Sequence, residues 1–444
     1  MVLKKYNPTA KTPWNFLRAW TLQRRVGFAA TWSELQRDLK DGPGQAIDRL
    51  LAGESRTAGV PDNYSQMQTI LGDAAVGSDR PERLIAWWVY QMYFSPDPLR
   101  EKLTLVWHNH FATSNAKVDS LVTMRSQNDV FRDHGLGNFQ DLLYGTLKHP
   151  AMLKWLDGDE NRAGRANENL GRETLELFTL GVGNYTEADV KGASRALTGW
   201  SAFENKFRVR EDWHDGDEKT ILGKSGNFTG DDLIEITSQH PATPKRLAWR
   251  LCDEFLNKSL IDEQVIGELA QVLTDNDLNI QAGVSALLRS ELFFSDENLR
   301  RRIVDPETFV VGAPRAVEWF SPPASTMVLG DWIEQLGRKL FYPPNVGGWP
   351  GGRGWLNSRT TIARANFGAA LVHGNLNRNQ QPIDFVKLAE SHIGTRETTK
   401  VVEFYCQLLC GVAQQKQIDE ISSSINDERE IVSAVLASPA AQLN

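Results

Sequence analysis

A mainly α-helical fold, a multi-helical array with one small β-hairpin insertion, is predicted by three features of this 444-residue chain. Apolar residues recur at the three-and-four spacing of helices through most of its length. The period-two alternation of strands stands out only around Phe207, Val209 and Glu211. Glycine and proline breaks separate the helical stretches.

Trp14 to Leu51 carries two helical patterns, with Arg24, Arg25, Val26, Gly27 and Phe28 between them. Residues 52–80, rich in Gly, Ser and Asp and containing Pro61, read as a loop. The large apolar groups of Arg83 to Tyr93 predict a helix buried on most sides, and after the Ser95-Pro-Asp-Pro break a second stretch runs from Leu99 through Phe111. Further helices are expected at 119–133, 138–145, 150–156, 187–198, 231–238, 243–257, 262–274, 278–290 and 297–321. Within 202–223 the turn-rich His214-Asp-Gly-Asp217 precedes Thr220-Ile-Leu-Gly, which predicts the hairpin. Residues 340–358 form an irregular loop with Trp349 and Trp355, and helices follow near 359–373, 382–390, 398–412, 415–424 and 428–437. The chain thus divides into an N-terminal helical lobe (1–201), a hairpin segment (202–230) and a C-terminal helical lobe (231–444).

Residues 161–200 organise the rest, as two helices joined by a glycine turn. Leu170, Thr174, Leu177, Phe178 and Gly181 share the packing face of the first, with Glu173 and Glu176 on its flank. Arg172 stands one turn from both Glu168 and Glu176, as in an ion-pair ladder. Gly181 and Gly183 stop this helix, Thr186 and Asp189 resemble a capping box, and Val190, Ala193, Ser194 and Leu197 form the next stripe.

Composition narrows the function. Hydrophobic residues at 41% and charged residues at 24% describe a globular chain, and a net charge of -7 without a basic block argues against nucleic-acid binding. Cys252, Cys406 and Cys410 are too few for a disulfide framework and read as core thiols. No window approaches 18 apolar residues and residues 1–12 lack a signal-peptide core, so neither a membrane span nor a leader is expected. A cytoplasmic protein is the direct reading, with a removed leader, or a periplasmic or exported location reached with a partner, as alternatives.

Trp107-His108-Asn109-His110-Phe111 is the most metal-like cluster, since imidazoles are common metal ligands. On a continuous helix its two histidines point almost oppositely, so both reach one ion only if the helix ends near Trp107. The competing reading is a hydrogen-bonded core His110 and a boundary His108. Glu173 and Glu176 have the i,i+3 spacing of carboxylates in helical metal sites, and could instead divide general-acid and general-base roles or serve only in the ion-pair ladder. His108, His110, Glu173 and Glu176 are therefore the candidate ligands of a divalent metal ion. Glu173, Glu176 and Arg172 are the candidate catalytic residues, with Arg172 orienting the acids or an anionic substrate. His214-Asp-Gly-Asp217 offers further ligands or a simple turn, and His149-Pro150 and His240-Pro241 read as helix boundaries. The Gly347 to Trp355 loop lacks a P-loop lysine, so nucleotide binding is unsupported, and its tryptophans either stack on a sugar or pin the loop.

The run Glu168-Asn-Leu-Gly-Arg-Glu-Thr-Leu-Glu-Leu-Phe-Thr-Leu-Gly-Val-Gly, followed by Tyr-Thr-Glu-Ala-Asp-Val and Arg195-Ala-Leu-Thr-Gly-Trp, resembles the bacterial family called domain of unknown function 1800. Trp107-His-Asn-His-Phe, His214-Asp-Gly with Lys219-Thr-Ile-Leu-Gly, His240-Pro-Ala-Thr, and Asn345-Val-Gly-Gly-Trp-Pro-Gly-Gly with Trp355-Leu fit the same pattern in order. The resemblance implies a mainly helical protein, often encoded beside a family 1501 protein of sulfatase or phosphatase likeness, many of which carry twin-arginine export signals. It supplies no activity.

The leading expectation is a metal-dependent enzyme, a hydrolase or an oxidoreductase, acting with or beside a family 1501 protein. A non-catalytic binding or export partner of that protein is the first alternative. Carbohydrate binding through exposed tryptophans is the second.

Overall fold

In the computed structural model, which describes residues 2–376, 383–425 and 427–444, the described residues form twenty-three α-helices and two two-stranded antiparallel sheets. The mainly α-helical array with a small β insertion is therefore what the chain builds. At its centre, Pro81 occupies the first turn of helix Pro81–Phe94, where its missing N–H costs nothing, and every residue from Leu84 to Phe94 is buried. Burying a side chain as large as Leu or Phe contributes about 1.5–3 kcal/mol, so this helix anchors one core. Asp97 then caps helix Pro98–His110 by accepting the N–H of Arg100 at 3.0 Å, and this helix too is buried on nearly all sides.

Two hydrophobic clusters fill the interior. One joins Trp88, Tyr93, Phe309, Phe367 and Tyr405, and the other joins Trp107, Phe111, Phe178, Leu251 and Phe293. Each draws on both the 1–201 and the 231–444 segments.

The hairpin segment holds two hairpins. β1 (Trp200–Phe203) pairs with β2 (Lys206–Val209), and β3 (Lys219–Ile221) pairs with β4 (Lys224–Gly226). Glu204 and Asn205, and likewise Leu222 and Gly223, take positive φ, the geometry that matches a two-residue turn to the twist of its strands.

Several elements depart from expectation. Residues 52–80 are not all loop, because Tyr64–Gly77 is helical and packs on Pro81–Phe94. It buries only Gly72 and Ala75, so it shows no apolar stripe in sequence. The first region has three helices, Phe16–Gly27, Trp32–Asp41 and Pro43–Ala52, and Arg24 and Arg25 lie inside the first. The expected 297–321 helix is only Pro306–Ala316, since the residue before a proline disfavours helical backbone and Asp305 caps Thr308 instead, at 2.8 Å. Thr326–Gln335 is an unanticipated helix. Residue 382, at the start of the expected 382–390 helix, lies outside the described residues, and the helix observed there is Phe385–Ile393.

Candidate functional site

Helix Pro98–His110 does not end near Trp107, and steps of about 100° send its last side chains to four places. Trp107 donates its indole N–H to Gly135 O at 2.8 Å. His108 enters an aromatic box of Trp88, Phe131, Phe341 and Trp349, with ring centroids at 5.3, 5.7, 5.6 and 5.5 Å. Asn109 Oδ1 accepts the backbone N–H of Trp349 at 2.7 Å. His110 Nε2 lies 3.0 Å from Phe178 O, and because a carbonyl only accepts, that nitrogen carries the proton. Neither ring nitrogen of His108 has a hydrogen-bond partner, and burial, with Arg338 adding to it, lowers its pKa to about 3. Burial and then Arg246 and Arg250 hold His110 well below its ordinary value. Both imidazoles are neutral near pH 7, and they face different surroundings.

The segment meeting His110 is irregular for a local reason. Helix Glu168–Glu173 widens into a π-helical turn over Thr174–Thr179, closed by Leu180 N to Leu175 O at 2.9 Å. The wider turn rotates the packing face, so Thr174, Leu175, Phe178 and Thr179 are buried while Leu177, expected inside, is only half-buried. Carbonyls at such an end have no helical donor. Arg246 supplies Leu177 O with Nε at 3.2 Å and Nη2 at 3.1 Å, His110 supplies Phe178 O, and Asn184 Nδ2 supplies Leu180 O at 3.0 Å. The expected contact between the 161–200 hairpin and the 99–111 helix is made here, with Phe111 and Phe178 rings 5.2 Å apart. His110 acts in it as a capping donor.

Glu173 and Glu176 are half-buried on the flank. Burial and then the charge of Glu176 raise the Glu173 pKa, and Tyr185 donates its hydroxyl to Glu176 Oε2. Arg172 pairs with Glu187 at 2.7 Å and Glu168 at 3.0 Å, so the expected ladder turns to the next helix and leaves Glu176 to Tyr185. Among the described residues, no group of three or more His, Cys, Asp and Glu is placed to hold a metal ion. His108, His110 and the Glu173–Glu176 pair thus do not form one ligand set.

The secondary candidates have structural partners. Asp215 forms a two-bond pair with Arg195 at 2.6 and 2.9 Å, and His214 Nδ1 lies 3.0 Å from Thr198 O. His149 and His240 each accept a backbone N–H through Nδ1, from Ala151 and Ala242, both at 3.2 Å. His149 Nε2 therefore carries the proton and donates to Ser126 Oγ at 3.1 Å, the wrong direction for activating that serine. All three cysteines are free and buried.

A cavity of about 360 Å³ lies where helix Pro98–His110 meets the Gly/Trp loop. Lys102, Leu105, Val106 and Asn109 form one wall, and Gly351 to Arg353 with Trp355 form another. Arg25, Arg250, Asp253, Glu254, Arg302, Asp305 and Arg338 close it, and the exposed Lys258, Arg301 and Arg353 surround its mouth. Trp349 and Trp355 are 6% and 3% exposed, so both rings are packed into the loop. Both rings flank Arg338, at 5.4 and 4.8 Å from its guanidinium carbon.

The lining carries eight Arg and Lys side chains against three Asp and Glu. Lys102 is held by Asp305 at 2.8 Å, and although burial opposes ionisation, Lys102 and Arg338 keep the Asp305 carboxyl far below its usual range. Arg338 has Glu307 at 3.0 Å, whereas Arg25 and Arg250 have no carboxylate so close. Arg25 spends its terminal donors on carbonyls, including Phe255 O at 3.1 Å and Asn298 O at 3.0 Å, and Arg250 donates to Val106 O at 3.1 Å. Burial and then Arg302 lower Arg25; burial lowers Arg250, with Arg338 and Arg302 adding to it against Glu254 and Asp253. Arginine keeps its charge in proteins, so these two guanidinium groups are held charged at the cost of burial. Nε of Arg25, Arg250 and Arg338 is buried without a hydrogen-bond partner. Beside them Glu307 pairs with Arg338 at 3.0 Å through one oxygen while the other has no partner, and burial raises its pKa to about 7.

These arginines went unnoticed in sequence because they are scattered from Arg25 to Arg353, with only Arg301-Arg302 adjacent among them. The loop and the Trp-His-Asn-His-Phe motif gave the only signal. A family model described as a protein of unknown function, DUF1800, matches residues 21–443. No curated protein and no solved structure matches the chain.

Proposed function

The chain belongs to the DUF1800 family of proteins of unknown function, and from that premise we propose that it binds a small anionic molecule in the arginine-lined cavity. The observation that carries this reading is the cation surplus of eight to three around a cavity of about 360 Å³. Buried charges are costly unless paired, so a folded chain that gathers guanidinium groups around a void is poised for a ligand that pairs them. Such a pocket lies within the usual size range of small-molecule sites, and Arg is the side chain best shaped to grip a carboxylate, phosphate or sulfate. In this reading Asn109 and His108 position the loop that walls the site.

A second reading is favoured by the Glu173–Glu176 pair. Two neighbouring acids, one with a raised pKa and one held by Tyr185, can divide proton transfer between them or hold a metal ion with groups from a partner. A family 1501 partner, and export with it, rests on the family resemblance alone.

Calorimetric titration at low salt with inorganic phosphate, sulfate and acetate tests the first reading. Binding that weakens about tenfold in an Arg301→Ala, Arg353→Ala double variant is expected, since both side chains are exposed at the mouth and their loss leaves the fold intact. Absence of binding by any of the three anions at millimolar concentration would rule it out.

A further inference from the structure

The cavity carries more than positive charge, and its other features narrow the ligand. Resting on the anion-binding reading, we infer that the ligand is a small hydroxylated oxyanion ester, a phosphorylated or sulfated polyol or monosaccharide. Its oxyanion faces Arg25, Arg250 and Arg302, and its hydroxyls donate to Glu254 and Asp253.

Three observations point this way. First, a site for a bare anion has no use for carboxylates, yet Asp253 and Glu254 line this one. Their cationic neighbours stand off: Arg250 is 3.8 Å from Asp253 Oδ2, Lys258 is 3.3 Å from Asp253 Oδ1, and Lys102 is 3.4 Å from Glu254 Oε1. Charge-assisted bonds close to about 2.7–2.9 Å, so both acids keep acceptor capacity for a ligand. Donors on that ligand are hydroxyls, because an ammonium group would meet the surrounding guanidinium groups.

Second, cations and carboxylates share one lining, with Arg250 and Arg302 standing beside Asp253 and Glu254. The site thus presents positive charge and unused acceptors together. A hydroxylated ester supplies both complements, whereas inorganic phosphate supplies chiefly acceptors.

Third, about 360 Å³ exceeds what a four-oxygen anion fills. Leu105, Val106 and Ile303 add apolar lining against which the carbon frame of such a ligand can lie.

The test is a calorimetric panel on the full chain: inorganic phosphate, inorganic sulfate, glucose 6-phosphate, glucose 6-sulfate and glucose. Each ester is compared with its own inorganic anion, which separates phosphate from sulfate recognition. At least one ester is expected to bind about tenfold tighter than its parent anion, with glucose far weaker. Glu254→Gln should weaken that ester about tenfold and tighten the inorganic anion, because a repelling charge is removed while a hydroxyl loses its acceptor. Esters no tighter than their anions, or a Glu254→Gln variant that shifts both in the same direction, would overturn the proposal while leaving the anion site standing. If no anion binds, the cavity reading itself falls. Should Glu254→Gln fail to fold, Asp253→Asn takes its place with the same expected shifts.

Discussion

Asn109 accepts the backbone N–H of Trp349 across 2.7 Å and more than two hundred residues of chain, and so ties the end of a buried helix to the Gly/Trp loop. Gly348, at φ 85°, lies so close that a Cβ there would sit 2.2 Å from Asn109 Oδ1. The two residues that clamp the cavity wall are thus one unit.

Asn109→Ala is expected to cost about 1–3 kcal/mol, the usual penalty for an abandoned backbone donor. Gly348→Ala should cost at least as much, since its φ suits glycine and the added carbon strikes the helix end. Because they disturb one contact, the double variant should lose less than the sum in urea unfolding. Additive losses would show that loop and helix end are not coupled there.

His108→Phe separates the imidazole from its packing. The unfolded imidazole takes up a proton near pH 6.5 and the folded one only near about 3, so acid favours the unfolded chain and the stability present above pH 6.5 is lost as pH falls. Phenylalanine suits the aromatic box and does not titrate. Between pH 7 and pH 4 the variant should gain about 3 kcal/mol relative to wild type, by denaturant unfolding at each pH. A constant difference would mean that His108 is solvated.

His110 offers a choice between capping and metal binding. As the donor to Phe178 O, it should be replaced largely by Gln and not by Ala, with Ala losing about 1–3 kcal/mol more. A ligand role predicts instead that both variants lose bound metal alike, read by elemental analysis of protein purified without chelator. Equal stability in the two variants would remove the capping role.

Glu307 gives a pH dependence of opposite sign. The folded carboxyl keeps its proton to about pH 7 and the unfolded one to about 4.5, so its stabilising contribution is complete below 4.5 and is lost as pH rises through 7. Glu307→Gln removes that slope, and from pH 5 to pH 8 it should gain about 2.5 kcal/mol relative to wild type. Parallel stability profiles would show that Arg338 keeps Glu307 ionised throughout.

Much of the architecture was legible because its causes are local. Helix Pro81–Phe94 announced its burial by apolar residues on every side, and Thr186 with Asp189 forms the capping box read from their spacing. The π turn at Thr174–Thr179 was not legible, because i→i+5 bonding leaves no mark on residue type and only the packed neighbours reveal which side chains turn inward. Helix Tyr64–Gly77 escaped for a related reason: it buries too little to show a stripe.

By itself the sequence determined a helical array, where most helices begin and end, and that Trp107 to Phe111 and the Gly/Trp loop are unusual. Tertiary structure decided what they do. Spacing along one helix says which way His108 and His110 point but not that a loop over two hundred residues away fills the gap between them. Arg25, Arg250, Arg302 and Arg338 become a site only when four separate segments pack around one void. Periodicity is a property of neighbours in the chain, whereas a cavity's charge is a sum over neighbours in space, and burial alone gives that sum its force.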